Sequence, residues 1–265
     1  MKILFCTGVD VNAGKSTLVR HLFRPKLAEH FKGGVQYYSV EDDGRISTGE
    51  DRKFDSKDIV AISTELDVFD ITTDGDSALL LEIGGQRFER FLAESARLET
   101  GSFEFDKVIY PIGPAFKAEE SLKSIFKLMN CGIKGDSIYV VFNQVDLMSV
   151  QDGSFKQSLE TVHAPFLANL KKFGVHVCST PVYRADVFEE LRLLEGEEHA
   201  AGTLAALPKN HFLEKYAAAR KAGNGELASA FMHMHGTQKR CKGLQGTFDA
   251  VFEFVFPELA LRAAA

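Results

Sequence analysis

Cysteine is scarce and scattered in this chain of 265 residues: Cys6, Cys131, Cys178 and Cys241 stand far apart, with no C-x-x-C pair. That spacing argues against both a zinc site and a disulfide framework, and it predicts a protein of the reducing cytoplasm. Long apolar runs are missing as well. Nowhere do about 18 apolar residues follow one another, the length that marks a membrane-crossing helix. The apolar run at the start is short and has no small-residue cleavage site, so neither secretion nor a membrane span is predicted. Positive charge is not in excess either: 31 Lys and Arg stand against 37 Asp and Glu, a net charge of −6. A protein that coats nucleic acid by bulk charge is thereby disfavoured, and any DNA contact is local or made through a partner. Internal repeats and low-complexity tracts are absent from the sequence.

The 45% hydrophobic content is ample for a buried core. Short runs rich in β-branched and aromatic residues occur at Ile3 to Cys6, Val35 to Val40, Ala78 to Leu81, Lys107 to Tyr110, Ser137 to Phe142 and His176 to Cys178. Helical patterns lie between most of them, at Lys15 to His30, Arg87 to Leu98, Ala118 to Met129 and Phe155 to Phe173. Strands alternating with helices predict an α/β fold, a mostly parallel sheet with helices on both faces. The polar, glycine-punctuated stretch from Gly44 to Asp58 reads as a mobile loop. Near Glu195 the character changes. "LEGEEHAAGTL" divides an α/β core, residues 1–195, from a C-terminal helical extension, residues 196–265, expected to pack on the same domain.

The first strand run leads into "TGVDVNAGKST", Thr7 to Thr17. Its second half fits the phosphate-binding pattern G-x-x-x-x-G-K-[ST], in which successive backbone N–H groups and a helix N-terminus point at an anion. Lys15 would reach the β and γ phosphates, and Ser16 would offer its hydroxyl to Mg2+. Gly8, Val11, Asn12, Ala13, Gly14, Lys15, Ser16 and Thr17 are therefore candidate nucleotide-binding residues. The first half departs from the pattern: Val9 falls where the first glycine belongs, and Gly8 lies one residue early.

Two further stretches suit the same chemistry. "ALLLEIGGQRFERF" ends a strand run in Glu82, a Walker B type of carboxylate that would hold Mg2+ through a water. "SIYVVFNQVD" would deliver Asn143 and Asp146 beyond the end of another strand, where the edge of a base would lie. It is similar to the guanine-reading N-K-x-D motif, but Gln144 replaces the lysine and asparagine also suits adenine, so the base stays open between the two.

Taken in order, "MKILFCTGVDVNAGKSTLVRHLFRPKL", "VEDD", "LLLEIGGQRFERFLAES", "FEFDKVIYPIGP", "SIYVVFNQVD" and "LQGTFDAVFEFVF" resemble the ParA/MinD-type P-loop ATPases, and more closely their StbB-like plasmid-stability members. The resemblance runs over almost the whole chain. It implies ATP and Mg2+ as ligands and a role in plasmid stability, partition or conjugative transfer. A small DNA-binding or relaxosome protein is the implied partner, with a nucleotide-dependent homodimer compatible with the group. It also implies a catalytic set of Lys15, Glu82 and Glu41, with Glu41 at the acidic end of the second strand run, near the attacking water. The wider group carries a signature lysine near the start of its loop; here that position is Asp10, as the StbB-like subgroup's lack of the lysine implies. Two rivals remain at this stage. "NQVD" with "GGQRF" suits a GTPase, while Val9 and Asp10 suit a nucleotide-gated binding protein that hydrolyses little.

The densest basic stretch, "HMHGTQKRCK" from His233 to Lys242, reads as the solvated C-terminal end of a helix. Its histidines are two apart and would diverge on a helix, which disfavours a metal site. Contacts from Lys239, Arg240 and Lys242 to DNA phosphates are the alternative. Phe248, Phe252, Phe254 and Phe256 are expected to pack into the core or a dimer contact, since the segment lacks the basic residues of a membrane-surface helix.

Overall fold

A computed structural model describes residues 1–7, 13–40, 59–61, 75–85, 87–97, 105–114, 117–146, 155–192 and 197–263. Among these residues eight strands form one sheet: β1 (Lys2–Cys6), β2 (Val35–Val40), β3 (Ile59–Ala61), β4 (Ala78–Ile83), β5 (Lys107–Ile112), β6 (Ile138–Val145), β7 (His176–Val177) and β8 (Val182–Tyr183). Their order is β3-β2-β4-β1-β5-β6-β7, with β8 on β6, and every pairing is parallel. Parallel neighbours require crossovers, and helices supply them.

The first crossover is α1 (Lys15–Leu18), a π-helical segment Val19–Phe23 and α2 (Arg24–Ala28). One uniform helix to His30 is thus corrected. Pro25 brings no N–H to the carbonyl of His21, and a wider π turn is a known way to accommodate such a gap. The others are α3 (Phe88–Arg97), α4 (Ala118–Asn130), α5 (Phe155–Val162) and α6 (Ala164–Lys172). The pattern from Phe155 to Phe173 is two helices rather than one, because Pro165 sits in the first turn of α6 and a new helix starts there.

Alternation along each strand splits the core into two layers. Leu4 and Cys6 of β1 meet Phe88 and Phe91 of α3, Ile125 and Leu128 of α4, and Leu170 of α6. Ile3 and Phe5 face the other way, onto Leu18, Leu22 and Phe23 and onto the C-terminal helices. These are α7 (Asp186–Arg192), α8 (Ala201–Ala206), α9 (His211–Lys221), α10 (Gly225–Val255) and α11 (Pro257–Ala263). The C-terminal helices therefore complete one face of the sheet.

Phe248, Val251, Phe252 and Val255 recur at helical spacing, are buried, and press α10 onto that face together with Phe256. Phe254 lies off this stripe and meets Tyr139 edge-on at 5.8 Å. The basic stretch is corrected: it lies in the middle of α10, not at a helix end. Thr237, Gln238 and Cys241 are buried there, Gln238 donates to the carbonyls of Leu207 and Pro208 (3.1 and 3.0 Å), and Arg240 pairs with Glu190. Among the described residues no helix is long and apolar enough to cross a membrane.

Phe256 is fully buried, with Phe252 at 5.1 Å and Phe23 at 6.0 Å. Its replacement by alanine is expected to cost about 3–5 kcal/mol, the range for deleting a buried phenylalanine. Denaturant unfolding measures this; a loss under about 1 kcal/mol would mean that the C-terminal helices contribute little to the core.

Candidate nucleotide site

From β1 the chain passes over β4 to reach β2, and from β4 it passes over β1 to reach β5. The segments leaving β1 and β4 therefore part in opposite directions at the carboxyl edge, which opens the crevice where ligands of such sheets bind. Gly14 to Thr17 lie there after β1, and Glu82 lies near the end of β4. Register sets Glu82 opposite Phe5, on the face that α1 covers.

Gly14 is left-handed at φ 73° and ψ 38°. A side chain there would also collide: a Cβ would come within 2.3 Å of Asn143 Nδ2 and 2.6 Å of Gln144 Nε2. Only glycine satisfies both constraints. Its carbonyl accepts the Leu18 N–H at 3.0 Å, and the helix begins at Lys15. Lys15 is 4% exposed, and its ammonium donates to Thr7 Oγ1 at 3.3 Å. The same charge is felt by the Cys6 thiol, which burial pushes up to about 12 and Lys15 partly pulls back.

Glu82 is 6% exposed, so its carboxylate has lost most of its hydration. Two hydroxyls replace it: Ser16 Oγ donates to Oε1 at 2.8 Å, and the Tyr37 hydroxyl donates to Oε2 at 2.5 Å. Such hydrogen bonds to a charged group are what make its burial tolerable. Ser16 and Glu82 are also the pair suited to Mg2+, which takes one or two protein oxygens and fills its remaining positions with waters and substrate phosphates. Among the described residues no three His, Cys, Asp or Glu side chains gather into a metal cage. An all-oxygen pair at the start of a helix fits this ion without one.

Asn143 is corrected in position. Strand β6 runs on to Val145, so Asn143 lies inside the strand, fully buried, and only Asp146 stands beyond its end, exposed. The Asn143 amide donates to the carbonyls of Ala13 (2.9 Å) and Gly14 (3.1 Å), which makes it a brace behind the loop. Flipping the amide would set its oxygen against those two carbonyls, so the assignment is fixed by its surroundings. Its Oδ1 is buried with no hydrogen-bond partner among the described residues. Gln144 follows at φ 56°, a left-handed conformation that is uncommon outside glycine.

Ala13 is buried, while Ser16 and Thr17 are half-buried. Gly8, Val9, Asp10, Val11, Asn12, Glu41 and the stretch from Gly44 to Asp58 lie outside the described residues. Thr7 and Tyr37 belong to the site and have no sequence signature. Tyr37 is one tyrosine of "VQYYSV", and its partner in the register is Leu80, so its ring reaches one pleat along the sheet to meet Glu82. Alternation shows which face it shares, yet neighbourhood with β4 depends on strand order. The chain matches no protein-family model and no curated protein.

Proposed function

We propose that the chain is a P-loop nucleoside triphosphatase of the ParA/MinD type, similar to the StbB-like plasmid-stability proteins. It binds ATP with Mg2+ and hydrolyses it slowly, in support of plasmid stability, partition or conjugative transfer through a partner protein. One arrangement carries the reading: Lys15 and Ser16 open a helix behind the central strand, and Ser16 is hydrogen-bonded to Glu82 on the next strand at 2.8 Å. A phosphate chain at that helix start meets backbone N–H groups, a helix dipole and the Lys15 ammonium together. Bound Mg2+ would neutralise charge on the phosphate oxygens. Glu82 lies beside that position, and Tyr37 and Ser16 fix its orientation.

Asn143 does not choose the base: it is fully buried, with its amide hydrogens on the carbonyls of Ala13 and Gly14. Adenine rests on the resemblance to the ATPase group. The GTPase reading rests on Asp146, the exposed carboxylate beyond β6, which suits the guanine N1 and N2 donors. Affinity for ATP against GTP in the presence of Mg2+, followed by turnover of whichever binds, tests both. Binding of neither would remove the nucleotide reading altogether.

Turnover by the protein alone is expected to stay well below about 1 s⁻¹, the low end for enzymes. Asp10 stands where the wider group has a lysine, and an anion there cannot neutralise charge developing on the transferred phosphoryl group. Asp10→Lys is expected to raise kcat at saturating nucleotide. Brisk hydrolysis by the unmodified protein alone would refute the dependence on a partner.

A further inference from the structure

A cavity of about 480 Å³, with none of Gly14 to Thr17 in its lining, lies between α2 and the segment that includes α8. Its volume falls within the range of about 300–1,000 Å³ common to small-molecule sites. One wall carries Arg20 and Arg24, four residues apart across the junction of the π segment and α2, so both reach the same side. They are 4% and 6% exposed. The acids of the lining, Glu29 and Glu198, sit at the surface, and the Glu198 side chain is 73% exposed. The two guanidinium groups thus lie deep and the carboxylates of the lining at the rim, with Glu198 close enough to act on Arg20.

The opposite wall is small and largely apolar, with Ala200, Gly202 and Thr203. It is held at a set distance. The Ala201 N–H donates to His21 Nδ1 at 3.1 Å, and a Cβ on Gly202 would come within 2.9 Å of the His21 carbonyl. The walls therefore cannot slide together without breaking a buried hydrogen bond. Burial lowers Arg20 to about 10, with Glu198 opposing, so its guanidinium stays charged at neutral pH.

We infer that this cavity is a binding site for a small organic oxyanion, a carboxylate or phosphate monoester with an apolar body, its charged head held by Arg20 and Arg24. Guanidinium groups match such heads with charge-assisted hydrogen bonds, which a partly buried setting strengthens. An apolar body suits the alanine, glycine and proline surface around them.

Titration calorimetry of the full chain with phenyl phosphate tests the site, with phenol and inorganic phosphate as the body-only and head-only probes. Saturable binding of phenyl phosphate, at least tenfold tighter than either control, is expected. Arg24→Met, which keeps an apolar stem, is expected to weaken it at least tenfold, and Thr203→Phe, which fills the cavity, to abolish it. Lys15→Ala is expected to leave it unchanged, which separates this site from the phosphate loop. The inference is overturned by no saturable binding, by phenol binding equally well, by retained affinity in Thr203→Phe with unchanged thermal stability, or by loss in Lys15→Ala.

Discussion

Lys15→Ala is expected to abolish measurable binding of both ATP and GTP while leaving the fold intact. On the proposed reading the lysine reaches the phosphates, and it is already desolvated, 4% exposed, with its ammonium on Thr7 Oγ1 at 3.3 Å. A hydrogen bond to a charged group is worth about 1.5–3 kcal/mol net. Two phosphates contacted would give about 3–6 kcal/mol, or roughly two to four orders of magnitude in affinity at 1.4 kcal/mol per tenfold. The free protein should not suffer, because a buried ammonium is expensive and its removal deletes that expense along with the charge. Calorimetric titration with each nucleotide, beside a thermal melt, reads both quantities. Unchanged affinity would sink the phosphate-loop assignment. A collapse of the melting temperature would make Lys15 structural instead.

Glu82→Gln is expected to lower Mg2+-dependent turnover by about two to three orders of magnitude, the scale on which one preorganised electrostatic group acts. Nucleotide binding in excess chelator should change by less than about threefold, since on the proposed reading the carboxylate acts on the metal rather than on the phosphates. Glutamine keeps the size of the side chain and leaves the Ser16 and Tyr37 hydroxyls something to bond, so the fold is retained. Tyr37→Phe makes a milder companion. It removes the 2.5 Å donor to Oε2 and leaves the carboxylate itself in place, so the Mg2+ concentration for half-maximal turnover should rise while metal-free binding stays. If Glu82→Gln weakens metal-free binding as much as turnover, the carboxylate does not act through the ion.

Much of the architecture is legible in the chain because it is set locally. β-Branched and aromatic runs mark β2 from Val35 to Val40, and β1, β4 and β5 to within a few residues. The glycine-lysine-serine turn predicts a helix start at Lys15, and the helix begins there. Errors fall where a local pattern is continued or interrupted by something distant. The basic run from His233 to Lys242 suggests a helix end, where the dipole favours cations. The helix passes through it because Thr237 is held by Glu190 of α7 and Gln238 by the carbonyls of Leu207 and Pro208, with Cys241 buried beside them.

What the sequence determined by itself is the alternation of strands and helices, the helix start at Lys15 after the first strand, and the carboxylate near the end of β4. Each depends on neighbours within about one turn or one strand. What only the tertiary structure decided is the company those residues keep: Tyr37 on Glu82, Asn143 behind Ala13 and Gly14, and Arg20 and Arg24 walled in by α8. Those partners are 45 and about 130 to 180 residues apart along the chain. Strand order and register bring them together, and these follow from burying two apolar layers on one sheet, a condition no single segment carries.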